Sequence, residues 1–156
     1  MIPTYVARTL GELPDDLNCS TTSFGVIIPK EATHVNSDAF VGCTGLTEIT
    51  IPDGVTQIGV NAFSECSGLT MVTIPEGVTH IGDMAFAFCS GLTEIAIPET
   101  VTRIGEYAFE SCTGLTFVTI PKRVTRIENA TFCRCRELTA IIIPEDVKSI
   151  GIGAFV

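Results

Sequence analysis

The sequence predicts an α/β repeat, a solenoid whose coils each supply one parallel strand and one short helical turn. Three observations carry this reading. Leucines stand at 46, 69, 92, 115 and 138, phenylalanines at 40, 63, 86, 109, 132 and 155, and prolines at 29, 52, 75, 98, 121 and 144, every interval being 23. Each unit opens on a segment that alternates apolar and polar residues, as a half-buried strand does. The apolar side of one such unit is too small to bury itself, so its only partner is the unit above or below.

Along the chain, residues 1–22 stand outside the repeat and form an N-terminal cap, and 23–156 form the repeat domain of about six units, the first degenerate and the last truncated. In the cap, Val6, Leu10, Leu13 and Leu17 are spaced by 4, 3 and 4, yet Pro14 would interrupt a helix through them. Two alternatives stand: a short helix from about Thr4 to Leu13, or an abbreviated first coil with "LPDD" in place of "IPDG". The repeat itself reads L-T-x-[IV]-x-I-P-x-x-V-[TK]-x-I-G-x-x-A-F-x-x-C-x-G.

In "LTEITIP", Ile49 and Ile51 fall on one face and Glu48 and Thr50 on the other, and Pro52, lacking an amide hydrogen, ends the ladder. Downstream, Ala62, Phe63 and Cys66 at i, i+1 and i+4 form the inward stripe of a single helical turn. Ser37, Asp83, Glu106 or Asn129 precedes that turn and Gly45, Gly68, Gly91 or Gly114 follows it, as capping at both ends requires. Stacked about 4.7–4.9 Å apart, such coils bring the isoleucines at 58, 81, 104, 127 and 150 into one interior with the Phe, Leu and Cys columns. No polar cap follows the final "IGIGAFV", so either more sequence covers it or residues 138–156 meet a partner or a second copy of the chain.

Composition excludes several roles. Net charge is −9, from 18 acidic and 9 basic residues, which opposes a phosphate backbone and argues against nucleic acid as a partner. Apolar residues make up 46%, but no run approaches the ~18–20 that a membrane-spanning helix needs, so membrane insertion is not expected. "MIPTYVARTL" has neither the basic nor the continuous apolar region of a secretory signal, which places the chain inside the cell or makes it a processed or trimmed piece. Bases are unevenly placed: Lys122, Arg123, Arg126, Arg134 and Arg136 lie close together, either as solvated charge or as a basic end that docks an acidic partner.

Candidate chemistry dissolves into the period. Cys43, Cys66, Cys89, Cys112 and Cys135 form one column, which reads as a small buried hydrophobe repeated once per coil. A single file does not converge tetrahedrally on zinc, and five thiols do not pair evenly. Cys133 falls in a column held elsewhere by Ser64, Ala87 and Glu110 and is expected to face outward; it and Cys19 break the pattern. His34 and His80 share a column two coils apart, about 10 Å at strand spacing, too far for one metal or a direct relay. "GIGAF" at 151–155 is repeat, not a phosphate loop, and neither G-x-S-x-G nor H-E-x-x-H occurs. We therefore expect no catalytic, cofactor-binding or metal residues and no enzyme activity. Two sequons, at Asn18 and Asn129, do not decide location.

The "LTEIxIPxxVTxIGxxAFxxC" units over residues 23–156 resemble the 23-residue leucine-rich repeats of the BspA-like, or Treponema pallidum, type. The resemblance implies a right-handed leucine-rich-repeat solenoid with parallel strands on its concave side and the short turns on its convex side. It also implies a binding role, since many members are cell-surface proteins of bacteria and parasitic protists linked to adhesion. On that basis the surface to watch is the outward side of the strands: Gly25, Glu48, Met71, Glu94, Phe117 and Ala140 in one column, and Ile27, Thr50, Thr73, Ala96, Thr119 and Ile142 in the next. Within it, Glu48, Thr50, Met71, Thr73, Glu94, Ala96, Phe117, Thr119 and Ile142 are the candidate partner-binding residues, unless those side chains serve strand propensity alone. The alternative is an intracellular scaffold or accessory subunit, docked through its C-terminal edge, 138–156, and the basic cluster.

Overall fold

The computed structural model describes residues 23–156, Cys19 and the backbone of Thr4–Val6. Among these lie thirteen strands: β1 (Thr4–Val6), β2 (Phe24–Ile27), β3 (His34–Val35), β4 (Leu46–Thr50), β5 (Gln57–Ile58), β6 (Met71–Thr73), β7 (His80–Ile81), β8 (Glu94–Ala96), β9 (Arg103–Ile104), β10 (Phe117–Thr119), β11 (Arg126–Ile127), β12 (Ala140–Ile142) and β13 (Ser149–Ile150). They wind into a parallel-strand solenoid of about six turns. One seven-stranded sheet runs β1-β2-β4-β6-β8-β10-β12. The short strands form a second parallel ladder, β3-β5-β7-β9 and then β11-β13, which sequence alternation alone did not suggest. Its break coincides with Glu128, which stands in the column of Gly59, Gly82, Gly105 and Gly151.

Register follows the period. Met71 pairs with Glu94, Thr73 with Ala96, Phe117 with Ala140 and His80 with Arg103, each 23 residues on. Sequence columns are therefore spatial rows. At the N-terminal end Thr4–Val6 is a strand paired with Gly25–Ile27, so no helix begins at Thr4; apart from Cys19, the rest of the predicted cap, with Leu10, Leu13, Leu17 and Asn18, lies outside the described residues.

The predicted helical turns are not formed: no helix occurs among the described residues. The amides of Asn61, Phe63 and Glu65 donate to the carbonyls of Asp83, Ala85 and Ala87 in the next coil, at 3.0, 2.8 and 2.8 Å. Those of Ala62, Ser64 and Cys66 turn back to Gly59, Asn61 and Phe63, at 3.3, 3.0 and 3.2 Å. An α-helix would need each amide for the carbonyl four residues back, whereas here every second one is taken by the neighbouring coil. The alternation requires left-handed backbone at Asn61 (φ 54) and Glu65 (φ 64), and it recurs at Met84 and Phe88, and at Tyr107 and Ser111. Such residues cost roughly 1–2 kcal/mol each outside glycine, which the inter-coil ladder offsets.

The predicted capping residues do other work. Asp83 Oδ1 accepts the amide of Glu106 (3.0 Å) and Asn129 Oδ1 that of Ile152 (2.9 Å), each one coil on. Gly91 is small because a Cβ there would stand 2.5 Å from the Ser67 carbonyl oxygen, so it serves close stacking and does not cap a helix.

The interior is the file of aromatic rings foreseen from the period. Phe40, Phe63, Phe86, Phe109, Phe132 and Phe155 stack with centroids 5.2–5.7 Å apart and planes within 14°. Ala62, Phe63, Cys66 and Leu69 are fully buried, as are Ala85, Phe86, Cys89 and Leu92 one coil on.

Candidate partner-binding face

Alternation in β4, β6, β8, β10 and β12 sends every second side chain out of the seven-stranded sheet. Glu48, Thr50, Met71, Thr73, Glu94, Ala96, Phe117 and Ile142 are exposed there and Thr119 is half-buried. Register sets them in two rows: Met71 beside Glu94 and Glu94 beside Phe117; Thr50 beside Thr73, Thr73 beside Ala96, and Thr119 beside Ile142. Exposure reaches 56% at Met71, 45% at Phe117 and 55% at Ile142, high for large apolar side chains. Glu48 and Glu94 are the charged members of these rows among the described residues. Two hollows indent the face. One of about 430 Å³ is lined by Met71, Thr73, Glu94, Ala96, Phe117 and Thr119; one of about 190 Å³ lies between Glu48, Thr50, Met71 and Thr73.

The basic residues do not share one element. Lys122 and Arg123 sit in the turn after β10, Arg126 is on β11, and Arg134 and Arg136 are in the following turn segment. Arg126 is held by Glu128 at 2.7 Å, and Arg134 lies 3.8 Å from Glu110. Arg134 and Arg136 instead join the last coil, where they line a hollow of about 410 Å³ with Phe132, Leu138, Phe155 and Val156. That coil is the most apolar exposed part of the described chain: Ile150, Ile152 and Val156 are 55, 88 and 82% exposed.

The cysteine column is interior and has a hydrogen-bonding part that the sequence did not reveal. Each thiol of Cys66, Cys89, Cys112 and Cys135 donates to the carbonyl of the phenylalanine one coil back, Phe40, Phe63, Phe86 and Phe109, always at 3.1 Å. Burial pushes these thiols above their ordinary pKa of 9.0, Cys135 to about 11, with Cys66, Cys89 and Cys112 also held well above it. Thiols held protonated are neither nucleophiles nor metal ligands at neutral pH. Cys43 is raised in the same direction, by burial first and then by its contact with the Cys19 thiol. Cys133, expected outside, is half-buried.

His34 and His80 lie in the row of the second sheet, on either side of Gln57, and each ring Nδ1 contacts the hydroxyl of the preceding threonine, at 3.0 and 2.8 Å. Among the described residues no three His, Cys, Asp or Glu side chains converge on a point that could hold a metal ion. Two threonine ladders passed unnoticed in the sequence although their interval of 23 is plain. Thr56, Thr79 and Thr102 hydroxyls donate to the carbonyl one coil back at 3.1–3.2 Å, and Thr93, Thr116 and Thr139 do so at 3.2–3.4 Å.

Comparison with known proteins bears on the repeat and its fold. The model of the BspA type leucine rich repeat region, in six copies, matches residues 17–138 and 79–156. A leucine-rich repeat protein of T. pallidum has a similar solved structure, with a TM-score of 0.84 and 30% identity over 99% of this chain and 69% of that one. One from Bacteroides ovatus ATCC 8483 gives 0.66 and 27%, covering 96% of this chain and 43% of its own. One from Eubacterium ventriosum ATCC 27560 shares the fold at 0.67 and 24%, with 84 and 42% covered. The chain thus spans less than half the length of the latter two. No curated protein matches it.

Proposed function

The chain belongs to the BspA-type leucine-rich repeat family, and from that premise we propose that it binds a protein partner through the outward face of its seven-stranded sheet, as an adhesion module. Leucine-rich repeat families are in general non-enzymatic modules that mediate protein–protein interaction. The observation that carries the reading is the exposure of Met71, Phe117 and Ile142 on one sheet face with few charges. Exposed apolar side chains gathered on one surface are what a partner would cover. Solenoid stacking supplies such broad surfaces in place of pockets. The test is capture of partners from the native source by the wild type and by the double variant Met71→Asp, Phe117→Asp. Loss of a specific protein from the variant's captured set, with circular dichroism unchanged, is the expected result; identical sets would overturn the reading.

A second reading rests on the last coil, where apolar Ile150, Ile152 and Val156 adjoin Arg134 and Arg136. There the chain serves as a scaffold or accessory subunit, or meets a second copy of itself. Under this reading Ile152→Asp with Arg134→Glu abolishes a stable complex that Phe117→Asp leaves intact, as size-exclusion chromatography of the native assembly would show.

A further inference from the structure

The sheet face is not uniform, and the larger of its two hollows has a chemistry of its own. In the row Thr50, Thr73, Ala96, Thr119, one residue lacks the hydroxyl-bearing branch of the other three. Register places Ala96 beside Thr73 on β6, and Glu94 between Met71 and Phe117. Ala96 therefore lines the hollow of about 430 Å³ together with Thr73, Thr119 and Phe117, where a threonine would take up more of the space. Glu94 stands two residues along the same strand, roughly 6.6–6.8 Å away at strand rise. Its carboxylate has no ion-pair or hydrogen-bond partner among the described residues, and the protein around it carries a net charge of −9. Phe117 lies on the diagonal from Ala96, roughly 7–8 Å between side-chain bases, within reach of an aromatic ring.

We propose that this hollow receives an arginine side chain of the protein partner. The guanidinium stacks on Phe117, donates to the Glu94 carboxylate and to the Thr73 or Thr119 hydroxyl, and lays its methylenes against Met71 and Ala96. A planar cation with several donors meets these demands better than a point charge, and the ring face attracts it electrostatically. The inference rests on the sheet-face reading and narrows it to one kind of anchor.

The test uses the whole chain, labelled for NMR, titrated with acetyl-Gly-Arg-Gly-amide and with its citrulline and norleucine counterparts. The arginine peptide should bind roughly tenfold more tightly than the citrulline one, from combined ion pairing and ring stacking, with shifts confined to Glu94–Ala96 and Phe117–Thr119. Glu94→Gln should cut that preference to about threefold, the share that ring stacking alone supplies. Ala96→Thr, which restores the residue found at 50, 73 and 119, should fill the hollow and weaken all binding without unfolding the chain. Equal binding of citrulline, a preference undiminished by Glu94→Gln, or absence of shifts at these residues overturns the arginine assignment. Tighter binding of norleucine does so while leaving the apolar sheet-face reading standing, since that reading falls only if the Met71→Asp, Phe117→Asp capture fails.

Discussion

Two rows run the length of this solenoid, one eight residues after the other in sequence, and they obey opposite rules. The ring row, Phe40 to Phe155, repeats one residue type in every coil and stacks at a nearly constant 5.2–5.7 Å. The face row, Glu48, Met71, Glu94, Phe117, Ala140, changes at every coil although its register is just as regular. The difference shows where constraint arises. An interior residue is shaped by the copies above and below it, while an outward residue such as Met71 or Phe117 leaves about half of its surface to water in the isolated chain, so its identity is freer to serve recognition.

Phe86→Ala, at a fully buried ring stacked on both sides, should cost about 3–5 kcal/mol by chemical denaturation. Phe155→Ala, 41% exposed and stacked on one side, should cost about 1 kcal/mol; equal losses would mean the stack does not set stability. Gly82→Ala comes next, because a Cβ there would stand 2.6 Å from the Gly59 backbone. Forcing two coils apart should cost roughly 1–3 kcal/mol, seen as a lowered Tm.

Alkali probes the thiol row. Burial keeps Cys66, Cys89 and Cys112 protonated in the fold well past the ordinary value of 9.0. Because their folded pKa is raised, their contribution is complete below about pH 9 and is lost as pH climbs towards the folded values. Each such thiol adds a slope of about 1.4 kcal/mol per pH unit, so Cys89→Ala should fall less steeply than the wild type in denaturation at pH 9–11. The smallest effect belongs to the face: Met71→Asp and Phe117→Asp should each change stability by about 0.5 kcal/mol or less, and a larger loss would place those side chains in the fold and not at a binding surface.

Much of this architecture could be read from the sequence because stacking and periodicity state the same fact. Ile49, Phe63, Cys66 and Leu69 declared their inward positions through an interval of 23 kept from coil to coil. The turn segment was misread for a physical reason. Ala62, Phe63 and Cys66 have helical spacing, but spacing reports side chains, and the outcome was decided by the amides of Asn61, Phe63 and Glu65 reaching the next coil. The left-handed positions gave mixed warning, since Asn61 favours that conformation and Met84 and Tyr107 do not. The outward columns of the candidate face were legible from strand alternation. The hollow was not, because Ala96 looks like an ordinary member of its column until Glu94, Thr73 and Phe117 are set around it.

The hydrogen bonds that join coils, from the Asn61, Phe63 and Glu65 amides to the threonine hydroxyls, all lie along the axis of the stack. Tension applied between the two termini would therefore meet them one coil at a time, like a zip and not like a rope. Each release would free 23 residues, or roughly 8 nm of extended chain, so that a tethered molecule would yield in steps and dissipate a sudden load before its neighbours gave way.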